Sequence, residues 1–171
     1  NLASDVVDWV LLEIRDQNDP NIVVQQRAGL LLNTGDIVAV DDRESGVLFY
    51  NLIEGTPYYL IVRHRNHLDV ISENPVSLPN NVVFDFSLPS NILGGVSQLN
   101  DLGSGNFGLV AGVYNADGII TISDFNGYAT QISLINLYSV ADFDGNGVIS
   151  VSDYNILSTN ASRIGIQYIR Y

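Results

Sequence analysis

The chain has no cysteine, no lysine and no methionine among its 171 residues. The missing cysteine removes disulfides, zinc thiolate sites and thiol nucleophiles, and leaves the compartment undecided. The missing lysine excludes Schiff-base chemistry, a phosphate-loop lysine and any internal Lys–Asn crosslink of the kind some surface sandwich domains form. Without methionine, and beginning at Asn1, the chain is expected to be a processed product or a piece of something longer. Basic residues are few: seven, all arginine, against nineteen acidic ones, for a net charge of -12. That field repels nucleic acid and anionic membrane and suits cations. No apolar run approaches the roughly 18 residues of a membrane span, and no basic region followed by an apolar block stands at the amino end. Neither nucleic-acid binding nor membrane insertion is expected.

Hydrophobic content of 46% is ample for a packed core. With no covalent staple available, a metal is the obvious device for holding a small module together. All five prolines lie within residues 1 to 89, and that stretch reads as β. Strands are expected at Val6 to Arg15, Ile22 to Leu32, Ile37 to Val40, Val47 to Leu52, Tyr58 to Arg65, Asp69 to Ile71, around Val76, and Val82 to Phe86. Turns at Asp16 to Pro20, Asn33 to Asp36, Asp41 to Gly46 and Glu54 to Pro57 separate them. Short strands at this spacing indicate an antiparallel sandwich. Residues 92 to 112 carry six glycines and read as a connector, with a short strand at Phe107 to Ala111.

The most informative stretch is Asp142 to Asp153, D-F-D-G-N-G-V-I-S-V-S-D. It places Asp142, Asp144 and Asn146 at loop positions one, three and five, and Gly147 at six. The Val148 carbonyl stands at seven, Ser150 at nine and Asp153 at twelve. This is the ligand spacing of a calcium loop of the EF-hand kind, because a hard cation takes six to eight oxygens converging on one point. Shifting Val113 to Ser133 by 29 residues lays it on Asp142 to Ser162, matching Gly118 with Gly147, Asp124 with Asp153 and Asn126 with Asn155. The end of the chain is therefore a duplicated unit. Its first loop offers Asn115, Asp117, the Ile119 carbonyl, Thr121 and Asp124, but Val113 stands at position one. Two carboxylates against three predict weaker binding there, since ligand charge tunes affinity. Helical spacing follows each loop: Phe125, Tyr128, Ala129, Ile132 and Ile135, then Tyr154, Leu157, Ala161 and Ile164.

A pair of loop–helix units with aspartate at position twelve resembles the type I dockerin repeat over residues 113 to 171. The resemblance implies two calcium ions, a pseudo-two-fold helix pair, an extracellular bacterial setting and, in cellulosomal members, docking onto a cohesin. Positions ten and eleven, which read the partner in those members, are Ile122-Ser123 and Val151-Ser152 here. An apolar residue at position ten weakens the cohesin reading and is expected to pack against something. The run V-L-F-Y-N-L-I-E-G-T-P-Y-Y-L-I-V, from Val47 to Val62, is similar to transthyretin-like or carboxypeptidase-regulatory-like sandwich modules. Together the halves resemble carboxyl-terminal regions of secreted surface proteins from Bacteroidota-type bacteria.

The expected fold is thus mainly β with a small α part. An Ig-like or transthyretin-like antiparallel β-sandwich (1–90) and a glycine-rich connector (91–112) precede a dockerin-like calcium-binding module (113–171). Other polar groups read as structural. His64 and His67, three apart on an expected strand, would point to opposite faces and lack a third metal ligand. Asp5, Asp8, Glu13 and Asp16 read as rim acids without catalytic partners, and Trp9 as core. No nucleophile motif appears, so no enzyme is expected. Three roles follow: a calcium-binding structural or adhesive surface module, assembling with copies of itself through the strand-like end Ile164 to Tyr171; a docking module for a cohesin-like partner; or a carbohydrate-binding domain.

Overall fold

The computed structural model describes residues 5–80, 82–135 and 138–170. Its centre is β1 (Val6–Asp16), an 11-residue strand rich in Val, Leu and Ile, the residue types that fit a pleated, half-buried surface. β2 (Val23–Leu32) pairs antiparallel along one edge of β1 and β4 (Thr56–Arg63) along the other. β3 (Ile37–Val38) extends the sheet beyond β2, and β5 (Val70–Ile71) and β6 (Val76–Leu78) both pair with β4. A hairpin of β7 (Leu99–Gly103) and β8 (Asn106–Leu109) makes a second, smaller sheet. The fold is mainly β and antiparallel, with two short α-helices among the described residues.

Register decides which residues share a face. Leu12 stands opposite Val62, and Val62 opposite Val70, so these point one way with Val10. They pack with Ile92, Leu99, Phe107 and Leu109, which lays the hairpin on the large sheet as the second layer of an unequal sandwich. The glycine-rich stretch thus contributes a layer of core, and burying each such side chain is worth about 1.5–3 kcal/mol. Glu13, Ile61 and Ile71 point the other way. The carboxyl-terminal segment covers them, with Ile166 and Ile169 packed on Ile61 and Ile71.

That second face also carries an ion network. Arg15 and Arg63 each bind the Glu13 carboxylate, at 2.6 and 2.8 Å, and Arg63 also binds Asp69. Arg15 donates to the Tyr168 carbonyl and Arg63 to the Ile169 carbonyl, at 3.1 and 2.6 Å. Burial works against the Glu13 carboxylate, but the two guanidiniums outweigh it and hold its pKa below the ordinary value. The end of the chain is a short 3-10 turn, Gln167–Ile169, and not the free strand expected there. Ile169 is 1% exposed, so the segment is clasped to its own sheet; Tyr171 lies outside the described residues.

Two expected strands do not form ladders. Val47 to Leu52 runs beside β2, but the Gln25 side-chain amide takes the backbone of Tyr50 on both sides, donating to its carbonyl and accepting from its N–H. A side chain has replaced the ladder. Residues 82–86 follow a proline and are curled by the Asn80 and Asp85 side chains, which accept from the N–H groups of Val82 and Ser87. Trp9 is 41% exposed between Asp8 and Val10, which are 3% and 4% exposed, so it is not a core residue.

The loop–helix units carry α1 (Ile122–Ala129) and α2 (Val151–Thr159), each opened by a capping box: Thr121 with Asp124, and Ser150 with Asp153. Both helices stop before the expected stripes end. Ser133 and Ser162 then turn the backbone left-handed (φ 72° and 70°), and Ile132, Ile135 and Ile164 are at least half exposed. The 29-residue shift is written into the hydrogen bonds. Ile119 bridges Ile164 while Val148 bridges Ile135, and each residue of one bridge maps onto a residue of the other under the shift. Likewise Ile120 N–H donates to Arg163 O and Ile149 N–H to Leu134 O; Ser162 N–H donates to Ile120 O and Ser133 N–H to Ile149 O. Exchange of this kind is a pseudo-two-fold axis. Its core joins Val113, Ile120, Tyr128, Phe143, Ile149 and Leu157 to Leu68, which follows the end of β4.

Candidate metal centre

In the second loop the carboxylate oxygens of Asp142, Asp144 and Asp153 lie within 4.8 Å of one another. Much of their hydrogen bonding is explained by the loop itself. Asp153 accepts from the Phe143 N–H at 2.7 Å and the Ser150 N–H at 2.8 Å, which closes the loop and caps α2. Asp144 accepts from Asn146 N–H and from Ser152 Oγ, and Asn146 Oδ1 accepts from Val148 N–H. Asp142 differs. It is 4% exposed, its Oδ2 accepts from Gly147 N–H at 3.0 Å, and its Oδ1 is buried with no partner. Burial, then repulsion from Asp153 and Asp144, raises its pKa. An unpartnered buried carboxylate oxygen beside two further acids costs stability unless a cation satisfies it.

The sharp turn at the sixth position uses Gly147 at φ 80°, as the first loop uses Gly118 at φ 73°. In that first loop, Asp124 is fully buried and accepts from Tyr114 N–H and Thr121 N–H, both at 2.8 Å. Asp117 accepts from Ile119 N–H and Asn115 Oδ1 from Asp117 N–H. Val113 is 2% exposed within the hydrophobic core. Position one is therefore buried in both loops; in loop one a methyl pair fills it, in loop two an orphan oxygen does. Of the expected ligands, the structure brings Asp142, Asp144 and Asp153 together in loop two, and in loop one it shows Asn115 N–H bonded to Asp124 and Thr121 Oγ1 bonded to Asp124. The acidic cluster, among the described residues, is that of Asp142, Asp144 and Asp153.

Sequence reasoning missed how the second loop is tied to the sheet. Asn66 is 1% exposed and its Nδ2 donates to the backbone carbonyl of Asp142 at 2.7 Å. Its Oδ1 faces His67 Nδ1 at 2.8 Å, His67 Nδ1 faces His64 Nδ1 at 2.7 Å, and His64 Nε2 meets Asp8 Oδ2 at 3.0 Å. The two histidines meet because β4 ends at Arg63 and the chain turns, so strand alternation does not apply to them. Asp8 also accepts from Arg65 and from the Tyr138 hydroxyl. Burial opposes its charge, but the bonds from His64, Tyr138, Arg65 and the Trp9 N–H together drive its pKa far below the carboxylate range. Asp8 and Glu13 are thus buried ion-network members and not solvated rim acids. The crowding of R-H-R-N-H at a strand end was the available signal.

At position ten, Ile122 and Val151 are each 70% exposed, so whatever they are to pack against is not supplied by the chain itself.

No family model and no curated protein sequence matches the chain. Among solved structures, it is similar to a chain from an N-terminal interface mutant of a type II cohesin–X–dockerin complex of Acetivibrio cellulolyticus. The two share 15% identity, with 91% of this chain and 82% of that one covered and a TM-score of 0.49. Among the described residues no helix is long and apolar enough to cross a membrane.

Proposed function

We propose that the chain is a non-enzymatic, extracellular calcium-binding module that serves a structural or adhesive role at a bacterial surface. The observation that carries this is the buried, unpartnered Oδ1 of Asp142 facing the acids Asp144 and Asp153. The capping box accounts for Ser150 and Asp153 without a metal, and the Gly147 N–H for one oxygen of Asp142; its other oxygen, Oδ1, is left for a cation. Asp142, Asp144, Asn146, Ser150, Asp153 and the Val148 carbonyl would hold the ion in loop two. Asn115, Asp117, Thr121, Asp124 and the Ile119 carbonyl would hold a weaker one in loop one. A bound calcium neutralises the acidic cluster, and its binding free energy adds to folding free energy. On this reading the sandwich unit comprises residues 1–90 with the 91–112 stretch supplying its second layer, and residues 113–171 are the dockerin-like unit. Isothermal titration of the chelator-treated chain with calcium tests the proposal. Stoichiometric heat with a rise in melting temperature is expected, and no saturable binding overturns it.

A docking role is favoured by one observation of its own: Ile122 and Val151, related by the 29-residue shift, present equally exposed apolar side chains at the starts of the two helices. Symmetric apolar exposure suits a protein partner, a cohesin-like domain or another copy of the chain. Pull-down with cohesin-type domains, against an Ile122→Asp/Val151→Asp variant, separates this role from a purely structural one. Assembly into a polymer through the carboxyl-terminal segment requires that segment to leave the sheet it covers.

A further inference from the structure

We propose that the cleft between the open end of the large sheet and loop one binds a neutral, hydroxylated ring, a pyranose unit, with the indole of Trp9 as its stacking face. The cleft holds about 370 Å³ and is lined by Trp9, Leu11 and Ala28 of the sheet, His67 and Asp69 after β4, and Ala116 of loop one. That volume lies within the roughly 300–1,000 Å³ of small-molecule sites.

Trp9 supplies an apolar face: it is 41% exposed although both chain neighbours are buried. Sequence could not place it there, since its strand alternates apolar residues on both faces. Two acceptors stand on the same walls. The first is His67 Nε2, and the hydrogen-bond chain assigns it. Asn66 Nδ2 is committed to the Asp142 carbonyl, so the Asn66 oxygen faces His67 Nδ1 and that nitrogen must carry the proton. The same N–H points at His64 Nδ1, which leaves His64 Nε2 to donate to the ionised Asp8. Burial keeps the His67 ring neutral, lowering its pKa to about 3. Nε2 is then a bare lone pair with no hydrogen bond among the described residues. The second acceptor is Asp69 Oδ1, which likewise takes none, Oδ2 being bound to Arg63.

These walls select the ligand class. An anion meets Asp69 and a chain of net charge -12. A cation finds no unneutralised carboxylate there, because Asp69 is already paired with Arg63, which lines the same cleft. A wholly apolar group would seal the lone pairs of His67 and Asp69 away from water without partners. A sugar ring offers what remains: an apolar C–H face for the indole and hydroxyl donors for the two acceptors. No residue that would hold calcium lines the cleft.

Trp9 is the sole tryptophan, so its emission reports the cleft alone. The intact chain in calcium buffer is titrated with glucose, xylose and N-acetylglucosamine, with glucuronate as the anionic and benzyl alcohol as the apolar probe. A saturable emission change with at least one neutral sugar is expected. It should weaken at least tenfold in Ala28→Leu, which crowds the cleft from an exposed strand position and leaves the reporter in place. Saturation-transfer NMR on Trp9→Ala should lose the sugar signal, with the melt confirming a folded chain. No saturation by any neutral sugar, saturation by benzyl alcohol or glucuronate alone, or unchanged sugar binding in Ala28→Leu overturns the proposal.

Discussion

The side-chain amide of Asn66 donates to the backbone carbonyl of Asp142 across 2.7 Å, joining the turn after β4 to the first residue of the acidic loop. Both groups are buried, and the Asn66 oxygen accepts from His67 on its other side. Asn66→Ala therefore strands the Asp142 carbonyl and leaves the His67 Nδ1–H with His64 Nδ1 as its remaining acceptor. A loss of about 2 kcal/mol is expected, from roughly 1–3 kcal/mol for each buried group left unsatisfied and some relaxation. Calcium affinity should fall as well, because position one of the loop loses its anchor. Denaturant unfolding with and without calcium checks both. Full stability in Asn66→Ala would mean that water replaces the amide.

Position one of each loop gives a prediction whose sign depends on calcium. Asp142→Val makes loop two resemble loop one, removing the orphan oxygen and one of three clustered acids. In excess chelator this variant should be more stable than the parent, by about 1–3 kcal/mol, since it relieves an unpaired buried polar group. In millimolar calcium the order should reverse, because the parent gains binding free energy and the variant does not. Melting curves in the two buffers give the four numbers required. The reciprocal Val113→Asp puts a carboxylate into the hydrophobic core of loop one and should show the mirror pattern.

How much of this was legible in the sequence follows from the range of each interaction. β1, β2 and β4 were readable because their apolar patterns are local, and the loops because ligand spacing is local too. The Val47 to Leu52 stretch has strand-like composition, yet Gln25, a residue 25 positions from Tyr50, occupies its backbone. His64, His67 and Trp9 were misplaced for one shared reason. Alternation holds only while a strand lasts and only if both faces are covered; β4 stops at Arg63, and the sheet is open beside Trp9. The Asn66 tie spans 76 residues and leaves no local signature.

Two carboxylates on the large sheet and its margin should pull the pH dependence in opposite directions. Asp8 has a folded pKa depressed below its ordinary 3.8, so its contribution is present above that value and lost as pH falls. Asp69 has a folded pKa raised to about 6 from 3.8, because burial outweighs the Arg63 guanidinium. Its contribution is full below 3.8 and lost as pH rises through 6. Asp8→Asn should thus cost about 3 kcal/mol at pH 6, as for one partner removed from a buried pair, and progressively less toward pH 2. Asp69→Asn should instead compare more favourably with the parent at pH 7 than at pH 4, by at most ~3 kcal/mol at about 1.4 kcal/mol per unit. Urea midpoints across pH 2 to 8 at fixed calcium test both; parallel profiles for the two variants would contradict the assignment.

The clasp of the carboxyl-terminal segment sets the last expectation. Ile169 is 1% exposed against Ile61 and Ile71, both fully buried, and the carbonyls of Tyr168 and Ile169 accept from Arg15 and Arg63. Ile169→Ala leaves a cavity under that segment and should cost about 2–5 kcal/mol. Truncation after Ile164 should cost more, since it uncovers an apolar sheet face together with a charged network that water then enters. If the segment assembles neighbouring copies, it does so by leaving this face and taking the same seat on another molecule, so the seat and not the strand edge is the determinant. Ile169→Ala should then weaken the monomer and any polymer together. A cysteine pair placed to lock Ile169 onto Ile71 should block polymers while raising monomer stability. Negative-stain imaging and size exclusion of the locked chain, oxidised and reduced, distinguish this from edge-to-edge growth, which the lock would leave untouched.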